Sequence, residues 1–417
     1  MKLQRVVITG MGALTPIGNN VEEYWAALLK GTSGAAPITH FNAEKFATRF
    51  ACEIKGLVVT DYIPAKTLAR MDPCAQYAMI TTMEALEDSC LDLDRIDKDR
   101  VGVIFGSGIG GFTSMMESAH VFIENDRAPR FSPYLLIKVL GDVISGHISL
   151  KYGFGGPNYI TSAACASAAN AIGDAMHLIQ LGKADVIVTG GTEASINETA
   201  IGGFNAMHAL STRNDDYAHA SRPFDRDRDG FVMGEGAAAL ILESLDHALA
   251  RGARIYGELC GAGMTADTFH ITAPEPNGKS AIASMKLAMR DANVRPDEVD
   301  YINMHGTSTP QGDLSECLAI HNTFGTHAEK LLLNSTKSMT GHLLGAGPAI
   351  ESVAILKSIQ HNIVHPTINL SHLDERIPQT WNFCPNEPVS HPVNVALCNS
   401  FGFGGHNVTL LYKRFTA

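Results

Sequence analysis

Short runs rich in valine and isoleucine, each followed by glycine and separated by helical stretches, constrain this chain more than any other feature. The runs are Arg5–Thr9, Val101–Phe105, Asp185–Thr189, Val299–Met304, Leu331–Asn334 and Val393–Leu397. Helical spacing falls between them, at Val21–Lys30, Cys74–Ser89, Ser167–Leu181, Ser280–Ala292 and Ile350–Gln360. Strands apolar on both faces, alternating with helices, predict parallel sheets covered on both sides. Two later runs, Ala237–Glu243 and Val408–Tyr412, follow glycine-rich turns and read as antiparallel edge hairpins. Each closes one half of the chain. The expectation is a duplicated α/β unit, residues 1–250 and 251–417, with no proline-rich linker and with one shared site.

Charge and cysteine usage narrow the function. The balance of 32 Lys and Arg against 43 Asp and Glu gives −11, which argues against nucleic-acid binding. The eight cysteines are scattered and form no C-x-x-C pair, so free thiols in a cytoplasmic, reducing setting are expected. No uncharged apolar run reaches the ~18 residues of a membrane span, so no membrane insertion is expected. At 417 residues the core requires neither disulfides nor a metal. The N-terminal VVITG reads as a buried strand and its turn rather than as a signal segment.

The segment Asn158–Gly191 is the most legible. Asn158–Thr161 reads as a strand, Ser162–Cys165 as a small-residue turn, and the following alanine-rich stretch as a buried helix capped by Gly182. Cys165 then stands at a helix N-terminus, where free N–H groups favour an anion and are expected to lower its pKa. His305 follows one strand and His342 lies beyond another, with Lys337 between that strand and His342. Ligands gather at such strand ends in open α/β sheets. A cysteine and two imidazoles suit acyl transfer through a thioester, the imidazoles donating to a carbonyl oxygen that becomes negative. The same three residues could alternatively form a zinc set, although 37 residues separate the histidines.

Four blocks, TSAACAS, NMHGTSTPQGD, NSTKSMTGHLLGAG and CNSFGFGGHN, resemble the active-site blocks of the β-ketoacyl-acyl-carrier-protein synthases. The resemblance runs from RVVITGMGALTPIG across nearly the whole chain, and its length and MGEG block look more like the type II elongating enzymes. It implies a thiolase-like fold of five layers, α-β-α-β-α, with duplicated βαβαβαββ halves, working as a homodimer. It implies condensation of an acyl chain with malonyl-carrier protein and loss of carbon dioxide, the substrates arriving on the phosphopantetheine arm of acyl carrier protein, with no other cofactor. By the same resemblance Cys165 is the nucleophile, and His305 and His342 stabilise the enolate. Lys337 and Glu351 form a charged pair nearby, and the amides of Cys165 and Phe403 form the oxyanion hole. Phe403 is also the gate, Thr307 and Thr309 hold the pantetheine arm, and Ile109 lines the acyl pocket. Lys66, Arg70, Arg127, Arg130 and Arg213 are candidates for docking the acidic carrier.

Departures from the family pattern are Pro348, His406, Ala168 and His208. Pro348 is expected in a helix's first turn, where its missing N–H costs little. Two motifs read as decoys. Gly106–Gly111 matches G-x-G-x-x-G but lacks a following strand with an acidic end, so glycines approaching an acyl pocket are the better account. Asp225–Gly230 begins like a calcium loop but reads as an ion-pair turn. A polyketide ketosynthase, a silent chain-length partner subunit and a degradative thiolase-type enzyme are the competing readings. The silent subunits typically lack the cysteine, and Cys384 and Cys398 do not stand in the C-x-G setting of the thiolases.

Overall fold

The computed structural model describes residues 3–416. Ten strands carry the fold: β1 Val6–Leu14, β2 Val101–Gly106, β3 Asn158–Thr161, β4 Val186–Glu193, β5 Gly236–Ser244, β6 Gly257–Ala266, β7 Tyr301–Asn303, β8 Leu332–Asn334, β9 Val395–Gly402 and β10 His406–Lys413. Their spatial order is β8-β7-β9-β10-β6-β1-β5-β4-β2-β3. Numbered within its own half, each five-strand set therefore runs 3-2-4-5-1. The directions match as well. β2 is parallel to β3 and β4, while β5 is antiparallel to β4 and β1. β7 is parallel to β8 and β9, while β10 is antiparallel to β9 and β6. Three residue pairs, Val6↔Leu259, Val7↔Glu258 and Ile8↔Gly257, join β1 to β6 and so connect the two sets.

Six helices build the layers: α1 Pro73–Ser89, α2 Val143–Tyr152, α3 Ser167–Gln180, α4 Lys279–Asp291, α5 Pro310–Phe324 and α6 Gly347–His361. Helices α3 and α6 pack against each other and against strands of both sets, so they form the middle layer. Outside, α1 covers β1, β5 and β4, and α2 covers β2. On the far side α4 covers β6 and β10, with α5 beside it. This is the α-β-α-β-α stacking that the blocks imply.

The middle layer is thin because its residues are small. A Cβ on Gly106 would lie 2.3 Å from the Ser167 carbonyl carbon, and one on Gly191 would lie 2.5 Å from Ala168 Cβ. Helix α3 buries Ala168, Ala169, Ala171, Ile172, Ala175, Met176 and Ile179. It ends as expected: Gly182 has φ +68°, and Lys183 N–H donates to Leu178 O at 2.9 Å. Pro348 occupies the first turn of α6, and all of Gly347–Ile359 is buried.

Two expectations fail here. β5 and β10 are interior strands, not edges. Every residue of β5 is buried, since α1 lies on one face and α6 on the other, which removes the alternation that would mark a half-exposed strand. Nor does β1 stop after VVITG. It continues through Gly10 and Gly12, where added Cβ atoms would lie 2.2 Å and 2.0 Å from carbonyl oxygens of α1. Those glycines admit a close helix rather than a turn. The ion-pair reading of Asp225–Gly230 holds: Asp225 pairs with Arg222 at 3.1 Å, and buried Arg228 pairs with Asp374 at 2.8 Å and Asp313 at 3.3 Å.

Candidate active site

Cys165 is held by a strained elbow between β3 and α3. Ala164 has φ +47°, a conformation non-glycine residues seldom adopt. Ser167 Oγ accepts from Ala163 N–H at 2.9 Å and donates to Ala164 O at 2.7 Å, which fixes the turn. Gly402, at the end of β9, presses on the same elbow: its Cβ would lie 3.1 Å from Cys165 N.

His305 leaves β7 with its backbone clamped. The N–H groups of His305 and Gly306 each donate to Glu316 of α5 at 2.9 Å, and Asn399 donates to the same carboxylate at 3.1 Å. His342 follows a single helical turn, Lys337–Thr340, and Gly341 at φ +67°. Its N–H donates to Val232 O at 2.7 Å and its carbonyl accepts from Gly234 N–H at 2.9 Å. A segment of the first half therefore pins a histidine of the second.

Cys165 Sγ lies 3.0 Å from His342 Nε2. One donor atom from each of Cys165, His305 and His342 falls within a 4.8 Å cluster. The imidazoles meet edge to face, with centroids 5.3 Å apart and planes at 86°. Phe231 packs edge-on against His342 at 5.4 Å, and Phe401 lies 5.9 Å from His305. Neither histidine has a partner on Nδ1 among the described residues. Zinc-bound histidines normally donate that second nitrogen to an oxygen acceptor. The donor set is compact enough for a metal, but the surroundings lack that support.

Electrostatics keep these groups neutral. Burial, and then the Lys337 charge, hold both imidazoles well below the usual histidine range; for His305 the neighbouring His342 adds to the effect. Burial pushes the Cys165 thiol up to about 11, opposed by the Lys337 charge and by the amides of Phe403 and of Cys165 itself, which face the sulfur. The expected lowering at the helix N-terminus is thus reversed, because desolvation of the thiolate outweighs the favourable N–H groups. Lys337 is buried and paired with Glu351 of α6, and Cys398 Sγ lies 3.9 Å from the other Glu351 oxygen.

All three chemical groups open onto one cavity of about 530 Å³. Ile109, Thr307, Thr309 and Phe403 line it too, and the threonine hydroxyls lie 3.0 Å apart. Gly404 and Gly405, at φ +85° and +79°, give the Phe403 loop a backbone that only glycine adopts freely. That loop is latched to residues 267–271: Gly404 N–H donates to Ile271 O, and Asp267 N–H to Gly405 O, each at 2.7 Å. His208 stands on the cavity wall in a left-handed conformation, φ +52°. Lys66, Arg70, Arg127 and Arg130 are exposed outside the cavity, with Arg70 stacked 5.0 Å over Tyr134. Arg213 is engaged elsewhere, donating to Asp227 O at 2.9 Å.

Sequence reasoning missed Glu316, Phe231 and Glu193. Glu316 was legible as the second acid of an Asp313-x-x-Glu316 pair in the first turns of a helix; Phe231 carried no local mark.

The β-ketoacyl synthase N-terminal domain model matches residues 3–248 and the β-ketoacyl synthase C-terminal domain model matches residues 256–371. The 3-oxoacyl-[acyl-carrier-protein] synthase 2 of Synechocystis is 45% identical over 416 residues, covering 100% of this chain and 99% of that one. The enzyme of the same name from Staphylococcus aureus is 47% identical over 414 residues, covering 99% of both. Among solved structures, the ishigamide ketosynthase/chain length factor superposes with a TM-score of 0.93 at 32% identity, over 99% of this chain and 100% of that one. A β-ketoacyl synthase from Burkholderia phymatum does so at 0.92 and 33%, with the same coverage. With two domain models spanning most of its length and full-length relatives near half identity, the chain belongs to the β-ketoacyl synthase family.

Proposed function

We propose that this chain is an elongating 3-oxoacyl-[acyl-carrier-protein] synthase of fatty acid biosynthesis. The observation that carries the reading is the convergence of Cys165, His305 and His342 on the wall of one cavity. The relatives named above favour fatty-acid elongation over polyketide assembly, since they share 45–47% identity against 32% for a solved type II PKS ketosynthase. The ordered Cys165 argues against a silent chain-length subunit.

In the first step Cys165 Sγ attacks the thioester of acyl-carrier protein. The thiol proton passes to His342 Nε2, 3.0 Å away, and then to the departing pantetheine thiolate. A bond to the acyl carbon forms as the carrier thioester breaks, with no net proton change. A thiol held near 11 stays protonated until substrate arrives, so attack and proton transfer are coupled. The amides of Cys165 and Phe403 receive the carbonyl oxygen.

In the second step malonyl-carrier protein enters, its arm held by Thr307 and Thr309. Loss of carbon dioxide leaves an enolate whose oxygen accepts from neutral His305 and from His342 Nε2–H, the His342 proton having moved from Nδ1 to Nε2 by exchange with solvent after loading. Neutral donors suit this step: they stabilise developing negative charge without protonating the carbanion. The enolate carbon attacks the Cys165 thioester, the tetrahedral intermediate expels the thiolate, and sulfur takes up one proton from solvent, the proton that decarboxylative condensation consumes. The product is a 3-oxoacyl-carrier protein two carbons longer. Lys337, paired with Glu351, adds its positive field to the burial that keeps both imidazoles neutral.

The first half, 1–250, contributes the nucleophile, and the second, 251–417, both histidines. Lys66, Arg70, Arg127 and Arg130 form the carrier docking patch, from which Arg213 is drawn away by its bond to Asp227 O, and no resident metal or cofactor takes part. The enzyme works as a cytoplasmic homodimer. Support for pairing comes from β3, which ends the sheet, and from the exposed Met115, Val121, Ile123, Phe131 and Leu136 of the segment between β2 and α2. Mixing purified enzyme with acyl- and malonyl-carrier protein should yield carbon dioxide and the extended 3-oxoacyl product. Carbon dioxide release without an extended product at any chain length would reject the elongating role.

A further inference from the structure

The glycine run 106–111 resembles a phosphate cradle, yet its free amides already hold an anion. Gly108 N–H donates to Glu193 Oε2 at 2.8 Å, and Ile109 N–H to Oε1 at 3.3 Å. Gly345 N–H, from the turn beyond His342, donates to Oε2 at 3.0 Å. Ser195 and Ser107 hydroxyls complete the set on Oε1 at 3.1 Å and 3.4 Å. Glu193 is fully buried, and no cation is paired with it among the described residues. A buried carboxylate without a counter-charge is costly unless fully hydrogen-bonded, so these donors and this acid hold one another in place.

The location gives the arrangement its meaning. Pairing of β2 with β4 ends at Gly106↔Gly191. Beyond that point Glu193 takes over as acceptor for amides the ladder no longer serves. A Cβ on Gly108 would lie 2.8 Å from the carboxylate, and one on Gly345 would lie 2.3 Å from Gly108 N. Leu344, next to Gly345, is held at φ +47°. Ile109 and Leu344 both line the cavity that contains Cys165.

We propose that Glu193 is a positioning residue whose carboxylate locks the Gly108–Ile109 wall of the cavity to the Leu344–Gly345 turn, and that this span sets the acyl length the cavity accepts. The inference rests on the acyl-transfer reading of the site. Glu193→Gln turns an N–H₂ group toward donors and opens the span, while Gly108→Ala pushes a methyl group against the carboxylate.

The test compares kcat/KM for octanoyl- and palmitoyl-carrier protein in wild type and both variants. The ratio should shift toward palmitoyl by roughly tenfold in each, the discrimination one or two methylenes carry in an apolar pocket. A merely structural residue would lower both substrates alike, so an unchanged ratio in folded variants overturns the proposal. If Glu193→Gln does not fold, Gly108→Ala decides alone. Failure of wild type to load either chain would overturn the acyl-transfer reading itself, and this inference with it.

Discussion

Cys165 Sγ and His342 Nε2 lie 3.0 Å apart although 177 residues separate them in the chain. The contact spans the two halves. His342 owes its place to Val232 and Gly234, which come from the same half as the cysteine. The two imidazoles should therefore divide the chemistry unequally. His305→Ala should lower malonyl-carrier decarboxylation by roughly 10²–10³, the cost of one oxyanion donor, with acyl loading largely retained. His342→Ala should slow both half-reactions. Separate loading and carbon dioxide assays check this, and equal losses in both steps for both variants would contradict it.

The Lys337–Glu351 pair is buried on both sides. Lys337→Met strands a carboxylate and should cost about 3–5 kcal/mol of stability. Lys337→Met combined with Glu351→Met should recover most of that loss in urea unfolding. Activity should not recover, because the positive charge that favours the Cys165 thiolate against its burial is gone.

Stability should respond to pH through the same groups. His305 and His342 are held well below 6.5, so as pH falls through 6.5 the unfolded chain binds protons that the folded one cannot. Stability therefore drops on acidification and is unaffected by them above that range. Glu84, Glu235 and Glu316, each raised to about 7, act in the opposite sense. The readout is thus the difference between wild type and His305→Gln/His342→Gln, whose urea midpoint should fall less between pH 7 and pH 5.

Docking makes a salt-dependent prediction. Lys66→Glu with Arg70→Glu should raise KM for acyl-carrier protein several-fold at low salt, an effect that fades as salt screens exposed charges. The kcat should hold. An unchanged KM at low salt would remove Lys66 and Arg70 from the patch.

Much of the site was legible because its chemistry sits in short local motifs. Cys165, His305 and His342 each stand out within a dozen residues, and so does the Gly182 cap. What escaped was set by packing between distant segments. The glycines of β1 look like turn residues, yet they admit α1. β5 lacks the alternation of an edge strand because helices cover both its faces. The Cys165 thiol is governed by its burial, which no helix-terminus motif reports. Glu193 collects amides from residues 108 and 345, a convergence that exists only in the folded chain.

The most direct test of the account is the intact mass of the enzyme after incubation with acyl-carrier protein, beside Cys165→Ala, followed by malonyl-carrier protein. The account predicts one acyl adduct per chain, absent in the variant, then discharged as a product two carbons longer. An adduct that persists in Cys165→Ala, or none at any chain length on folded protein, would contradict it.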